Sequence, residues 1–206
     1  MKERILLVFD KGLGYGGVES VIMSIVRNLN KFYTFDLLTN TSLDKAHDEE
    51  FLSYGGKILK IPFYEGNCRF RQRIDYYIRG TYLYIKALKV IKKNMPYKAV
   101  HCNNSTEGGI VLKAAKKSGI PMRIMHSHAV FVPDTGIRGI ITEYYRKLIM
   151  KNANCLIGCS ECAMGLFKKN ENCITVFNAY NENKFRYDEK RLSNPKKLKL
   201  IQIGRY

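Results

Sequence analysis

Short β-rich runs alternate with helical stretches along most of this 206-residue chain. An apolar run at residues 5–9 leads into a helical pattern that begins at Val18, and the alternation continues to residue 177. Such alternation predicts a parallel sheet covered by helices on both faces, the doubly wound α/β arrangement. Further strands are predicted at residues 33–39, 57–62, 99–102, 122–126, 154–159 and 174–177, and helices at residues 44–54, 70–93, 106–118, 137–151 and 161–168.

The composition is that of a folded domain without a membrane span. Hydrophobic residues make up 46% of the chain, and no apolar run approaches the roughly 20 residues needed to cross a bilayer. No small-residue cleavage site follows the amino terminus, so we expect a cytoplasmic protein with reduced cysteines. Two cysteines fall inside the predicted strand at 154–159, whose geometry does not suit zinc, and no metal is predicted. The cysteines, interpreted as buried small hydrophobes, are Cys68, Cys102, Cys155, Cys159, Cys162 and Cys173.

A glycine-rich bend joins the first strand to the first helix. Glycine allows unusual backbone angles and the close approach of a ligand, and the N–H groups at a helix start favour anionic groups. The bend is therefore a candidate ligand site, although a tight turn alone would also need glycine. Glu19, in the first helical turn, is either a helix-capping residue or a hydrogen-bond acceptor for a ligand. The glycines are Gly12, Gly14, Gly16 and Gly17.

Three of these glycines match the dinucleotide fingerprint G-x-G-x-x-G. A nicotinamide-binding protein also needs an acidic residue at the end of the second strand, to hold the ribose hydroxyls. The second predicted strand ends in Thr39, Asn40 and Thr41, and its Asp36 lies inside the strand. A nicotinamide enzyme is therefore the weaker alternative.

Polar side chains gather where two neighbouring strands end. His101, Asn103 and Asn104 accompany the fourth strand, and His126 and His128 accompany the fifth. Ligands of doubly wound sheets bind at the carboxyl ends of the strands, so these residues are candidates for substrate binding. A histidine there can orient a hydroxyl group or accept its proton. Metal binding by the last two histidines is disfavoured because no carboxylate lies nearby in sequence.

The chain is strongly basic, with 35 Lys and Arg against 18 Asp and Glu and a formal net charge of +17. Such an excess attracts polyanions. Basic and aromatic residues are interleaved between residues 69 and 98, a pattern that suits an anionic membrane surface, although RNA binding or a simple solvated helix face would also fit. No recognised RNA-binding signature is present, so nucleic acid is not the expected partner. The residues expected at the membrane surface are Arg69, Arg71, Arg73, Tyr76, Tyr77 and Arg79.

The carboxy-terminal residues differ in character from the rest. We expect residues 1–183 to form one Rossmann-like domain and the polar residues 184–197 to form a linker. Residues 198–206 resemble another strand that enters a glycine turn at Gly204. We therefore expect the complete protein to continue into a second domain.

In their order and spacing, these features resemble the N-terminal half of a GT-B glycosyltransferase of family 4, the large retaining group. The resemblance spans essentially the whole chain. It departs from the family's Asn-Gly-x-Asp segment at Ala179 and Asn181. The matching segments are Gly16-Gly17-Val18-Glu19, the strand that ends at His126, Ile157-Gly158-Cys159-Ser160-Glu161, Val176-Phe177-Asn178 with Phe185, and Ile203-Gly204-Arg205.

The resemblance implies a metal-independent hexosyltransferase that moves a sugar from a nucleotide-sugar cosubstrate to a glycan or lipid-linked acceptor with retention, in bacterial surface polysaccharide synthesis. No other cofactor is implied. Gly16 and Gly17 would approach the donor phosphates, and His126, or else His128, would contact the transferred sugar. Without a donor-binding half, this chain alone would be inactive. A lipid-linked acceptor would place it at the inner face of the membrane, and the residues expected to bind substrate are Glu19, His101, Asn103, Asn104 and Asn178.

Overall fold

The computed structural model describes residues 2–40, 45–61, 72–167, 173–179 and 186, and for residues 72–79 and 81 it describes the backbone alone. The expected linker and second-domain strand at residues 184–206 lie outside this range, apart from residue 186. The strands are β1 (Glu3–Val8), β2 (Tyr33–Thr39), β3 (Ile58–Lys60), β4 (Ala99–Cys102), β5 (Met122–Ser127), β6 (Cys155–Gly158) and β7 (Cys173–Thr175). The α-helices are α1 (Gly17–Leu29), α2 (Asp48–Ser53), α3 (Gln72–Asn94), α4 (Gly108–Lys117) and α5 (Gly136–Asn152).

All seven strands form one parallel sheet in the order β3-β2-β1-β4-β5-β6-β7. The doubly wound α/β prediction is therefore confirmed. The strand order reverses between β1 and β4, and this switch point is where open α/β sheets bind ligands beyond the carboxyl ends of their strands. The bend after β1 and the polar residues of β4 and β5 thus share one edge of the sheet.

Side-chain alternation in β1 explains how both faces of the sheet are covered. Leu6 and Val8 join one core with side chains from α3, α4 and α5. Leu7 and Phe9 point the other way, into a second core with α1 and α2. Because successive strand residues face opposite sides, one apolar run contributes to both cores.

A buried ionic network lies toward the amino ends of the strands, away from the candidate ligand-binding end. The fully buried Asp36 of β2 pairs with Arg4 of β1 and accepts a hydrogen bond from Tyr97 Oη at 2.6 Å. Its other oxygen accepts from the Lys57 amide at 3.0 Å. This carboxylate is therefore committed to the fold and is not a ribose ligand of the kind a nicotinamide site needs.

Several predicted element boundaries are wrong. The stretch expected to form a helix at 161–168 contains a short 3₁₀ helix, Cys162–Leu166. Ser160, which precedes it, accepts a hydrogen bond from the Ala163 amide through Oγ at 3.2 Å. The strands expected at 57–62 and 174–177 span only Ile58–Lys60 and Cys173–Thr175. These two short strands are the edge strands of the sheet. Strands this short carry too few residues for apolar periodicity to define their ends.

Candidate functional site

The glycine-rich bend leads directly into α1. Of its glycines only Gly12 has a positive φ, at 69°. Gly16 is the N-cap of α1 with an extended backbone, and it provides no side-chain hydrogen bond to the helix start. The first amide groups of α1 therefore lack a side-chain cap at the ligand-binding edge of the sheet. The positive φ that we expected to explain these glycines applies at Gly12 alone.

Position 16 needs glycine because of the Glu19 side chain, and not because of its own backbone angles. A Cβ atom built on Gly16 would lie 2.3 Å from Glu19 Oε2, so the carboxylate occupies the space that any other side chain would need. Glu19 is only 8% exposed. A Cβ on Gly17 would meet nothing within 4 Å, so the backbone is open to a ligand there. The glutamate is thus held at the bend, and Gly17 is the more accessible of the two glycines.

The three histidines predicted at this edge form a continuous cluster with Asn103. His101 Nε2 lies 3.3 Å from His126 Nδ1, and the two rings are stacked. The ring of His128 lies 4.0 Å from that of His126, measured between centroids. His128 Nε2 lies 2.9 Å from Asn103 Oδ1. The structure therefore brings together four residues that two separate sequence segments contribute, one at the end of β4 and one at the end of β5.

Burial keeps this cluster neutral near pH 7. It lowers the pKa of His101 to about 4 and that of His128 to about 4. Burial lowers the pKa of His126 to about 3, with smaller contributions from the neighbouring His128 and His101. His126 Nε2 and His128 Nδ1 are buried, and neither has a hydrogen-bond partner in the part of the chain that the structure describes. Unpaired buried ring nitrogens are costly in a fold and mark a place where a ligand can supply the missing partner.

Asp10 is a site residue that the sequence reasoning missed. It follows β1 at the start of the bend, and its amide donates to Asn104 Oδ1 at 3.1 Å. Burial raises the pKa of the Asp10 carboxyl, and the nearby charge of Glu107 raises it further. Its position directly after the first strand is the signal that could have identified it. Asn104 links the bend to β4, so its amide oxygen is already engaged within the protein.

The other predicted site residues lie apart from the cluster or outside the described side chains. Asn178 is exposed beyond β7, two strands from β5 and roughly 10 Å along the sheet. Of the residues expected at the membrane surface, Arg69 and Arg71 lie outside the described residues. The others belong to α3, in a part of the helix for which only the backbone is described. These are Arg73, Tyr76, Tyr77 and Arg79.

The described part of the chain offers neither a metal-binding cluster nor a membrane-spanning helix. It contains no group of three or more His, Cys, Asp or Glu side chains arranged to hold a metal ion. Its helices are all too short or too polar to cross a bilayer. The described cysteines are free thiols, and burial raises the pKa of Cys102 and of Cys155, which makes both poor nucleophiles.

Comparison with solved structures agrees with the fold. MurG of Acinetobacter baumannii superimposes with a TM-score of 0.55 at 11% identity, over 90% of this chain and 48% of MurG. A UDP-N-acetylglucosamine 2-epimerase gives a TM-score of 0.57 at 12% identity, over 86% of this chain and 49% of the epimerase. At these identities the likeness shows a shared architecture and does not choose between the reactions that use it.

Sequence comparison is more specific. EpsF of Bacillus subtilis (strain 168), whose name describes a glycosyltransferase and specifies neither donor nor acceptor, is 30% identical over 167 residues. The match covers 79% of this chain and 40% of EpsF, so the chain spans less than half of that relative. The family model described as Glycosyltransferase Family 4 matches residues 15–176, which include Gly16, Gly17 and the histidine cluster. The chain belongs to Glycosyltransferase Family 4.

Proposed function

We propose that this chain is the acceptor-binding half of a retaining glycosyltransferase, which transfers a hexose from a nucleotide-sugar to a glycan or lipid-linked acceptor in surface polysaccharide synthesis. The observation that carries the proposal is the buried, neutral His126 of β5, which lies one strand from the switch point and whose Nε2 has no hydrogen-bond partner among the described residues. No metal or further cofactor enters the proposal. A donor-binding half, absent from this chain, would complete the cleft, so the chain alone would not catalyse transfer.

The bend would form one wall of that cleft. The backbone is open at Gly17, where amides of the helix start can approach the donor phosphates. The Glu19 carboxylate would repel a phosphate, so we propose that it accepts a hydrogen bond from a sugar hydroxyl group beside the phosphates. Holding this carboxylate in a buried position reduces the reorganisation needed when the sugar binds.

The histidine cluster would form the wall next to it. A neutral imidazole can donate or accept a hydrogen bond without attracting the phosphates away from the helix start. His126 would contact the transferred sugar through Nε2, and the stacking of His101 against it would fix the plane of the ring. Asp10, whose carboxyl has a raised pKa, lies at the start of the bend. Its amide hydrogen bond to Asn104 connects the bend to the end of β4.

The test uses the full-length protein with a panel of uridine and guanosine diphosphate sugars and membranes as the acceptor source. We expect release of a nucleoside diphosphate and transfer of one sugar, with the α-configuration of the donor kept in the product when NMR is used to read the anomeric coupling. The 206-residue chain alone should give no transfer. Inversion at the anomeric carbon, or activity of the chain alone, would contradict the proposal.

We also propose that the face of the domain covered by α3, α4 and α5 docks on an anionic membrane. A groove of about 390 Å³ lies between β3 and α3, with Leu59, Ile61 and Val90 among its lining. No acidic residue lines it within the described part of the chain. Like charges along one helix face repel each other, and an anionic surface removes that cost. The basic residues of the groove are Lys60, Lys86, Lys89 and Lys93.

Exposed apolar side chains on the same layer of helices support this docking. Ile85 of α3 is 57% exposed, and Ile140 and Tyr144 of α5 are 66% and 48% exposed. Apolar side chains among lysines suit the boundary between headgroups and acyl chains.

Vesicle sedimentation tests the docking. We expect the chain to bind vesicles of equal parts phosphatidylcholine and phosphatidylglycerol at low salt, to leave them at high salt, and to ignore pure phosphatidylcholine. Replacing Lys89 and Lys93 by Gln should weaken binding more than replacing Lys2 and Lys31, which removes the same charge elsewhere. Equal effects of the two pairs, or binding to RNA in place of vesicles, would refute the proposed surface.

A further inference from the structure

We propose that Asn103 fixes the neutral His128 side chain in the tautomer with hydrogen on Nε2, so that His128 Nδ1 accepts a hydrogen bond from a hydroxyl group of the ligand. The identification of that ligand as a sugar rests on the proposed function. The tautomer itself follows from the positions of the His101 carbonyl, the Asn103 amide and the His128 ring, and it does not depend on the proposed function. Asn103 acts here as a positioning residue, because it works through His128.

The orientation of the Asn103 amide is set by a backbone carbonyl. Asn103 Nδ2 lies 3.3 Å from the carbonyl oxygen of His101. A carbonyl oxygen can only accept a hydrogen bond, so the NH₂ group must face it and the amide oxygen must face the other way. Asn103 is 3% exposed, which leaves little room for water to replace either partner.

The amide oxygen then determines which nitrogen of His128 is protonated. Asn103 Oδ1 lies 2.9 Å from His128 Nε2 and can only accept, so the ring nitrogen must donate. A neutral imidazole carries one ring hydrogen, which leaves Nδ1 with a lone pair. That Nδ1 atom is buried without a partner in the described part of the chain. By contrast, the His101–His126 contact joins two ring nitrogens and does not by itself decide which one donates.

A buried lone pair selects a particular kind of ligand atom. It is satisfied by a hydroxyl hydrogen and is repelled by a phosphate oxygen, so this subsite suits the hydroxylated part of a ligand and not its anionic part. Because Nδ1 has no contact with solvent, a hydroxyl group reaches it only when the side chains around it shift. His128 begins the largely exposed loop between β5 and α5, where such a shift meets little packing.

Nitrogen NMR of the ¹⁵N-histidine-labelled chain near pH 7 tests the tautomer, with the His128 signals assigned from their loss in His128→Gln. We expect hydrogen on Nε2 with about a tenfold preference. Asn103→Ala should populate both tautomers, whereas Asn103→Asp should keep the Nε2–H form and raise the pKa of His128. Asn104→Ala is the matched control and should leave the tautomer unchanged. Hydrogen on Nδ1, or an even mixture in the unaltered chain, would overturn the proposal.

The hydroxyl contact is tested in the full-length protein with monodeoxy analogues of the donor and acceptor sugars. We expect one analogue to lose about tenfold in kcat/KM, and that loss to shrink in Asn103→Ala. Uniform losses in both proteins would refute the contact. If the full-length protein transfers no sugar, the proposed function fails, and the NMR result on the free chain still decides the tautomer.

Discussion

Replacing Gly16 by Ala tests whether the bend exists to position Glu19. The new Cβ would lie 2.3 Å from Glu19 Oε2 and 2.8 Å from its Cδ, so the carboxylate must leave its buried place. The backbone at Gly16 is extended, with φ at −174°, so alanine introduces no strain there. We expect the free energy of unfolding to change by less than about 1 kcal/mol, because the lost flexibility of the unfolded chain offsets the rearrangement.

The effect on catalysis should be much larger. A hydrogen bond between a carboxylate and a sugar hydroxyl contributes about 1.5–3 kcal/mol, which corresponds to a loss of roughly 10- to 150-fold in kcat/KM. Urea unfolding of the chain and transfer by the full-length protein measure the two quantities. Gly14→Ala is the matched control, since a Cβ there would meet nothing within 4 Å. Equal activity of the two variants would refute the role given to Glu19.

Three further predictions concern stability, measured by urea unfolding of the chain. Tyr97→Phe removes the hydrogen bond to the buried Asp36 and should destabilise the fold by about 1.5–3 kcal/mol; no change would show that this bond is dispensable. Gly109→Ala places a Cβ 2.6 Å from the Tyr145 carbonyl oxygen and should cost about 1–3 kcal/mol, whereas Gly165→Ala meets nothing and should cost less. The three clustered histidines have lowered pKa values, so the unfolded chain binds more protons below about pH 6.5. Stability should therefore fall as pH drops from about 6.5 toward 4, by up to about 1.4 kcal/mol per pH unit for each histidine, and a flat profile would contradict their burial as neutral groups.

The sequence predicts the sheet well because its strands are buried on both faces. The run that forms β1 supplies side chains to two cores, and such runs are easy to recognise between helical patterns. The short strands β3 and β7 carry too few apolar residues to define their ends. The 3₁₀ helix at Cys162–Leu166 differs from a helical turn only in its hydrogen-bond spacing, which apolar periodicity does not reveal.

The convergence of the histidines was predictable, and the contacts of the candidate site residues were not. Histidines at the ends of adjacent strands were expected to converge, since parallel strands end at one edge. The sequence did not reveal that Glu19 fills the Cβ space of Gly16, or that Asn103 contacts His128, because both contacts depend on side-chain orientation. Asp10 belongs to no motif, and its position directly after β1 is the signal that could have identified it.

Transfer by full-length His126→Ala, compared with His47→Ala, tests the central claim most directly. His126 lies in the buried cluster on β4 and β5, beside the switch point, whereas His47 lies at the start of α2, outside the cluster. If the cluster holds the transferred sugar, the first variant should lose roughly a hundredfold or more in kcat while retaining the fold by circular dichroism. The second variant, whose lost ring contacts Tyr15 of the bend, should lose far less. Full activity in a folded His126→Ala protein would contradict the account of this site.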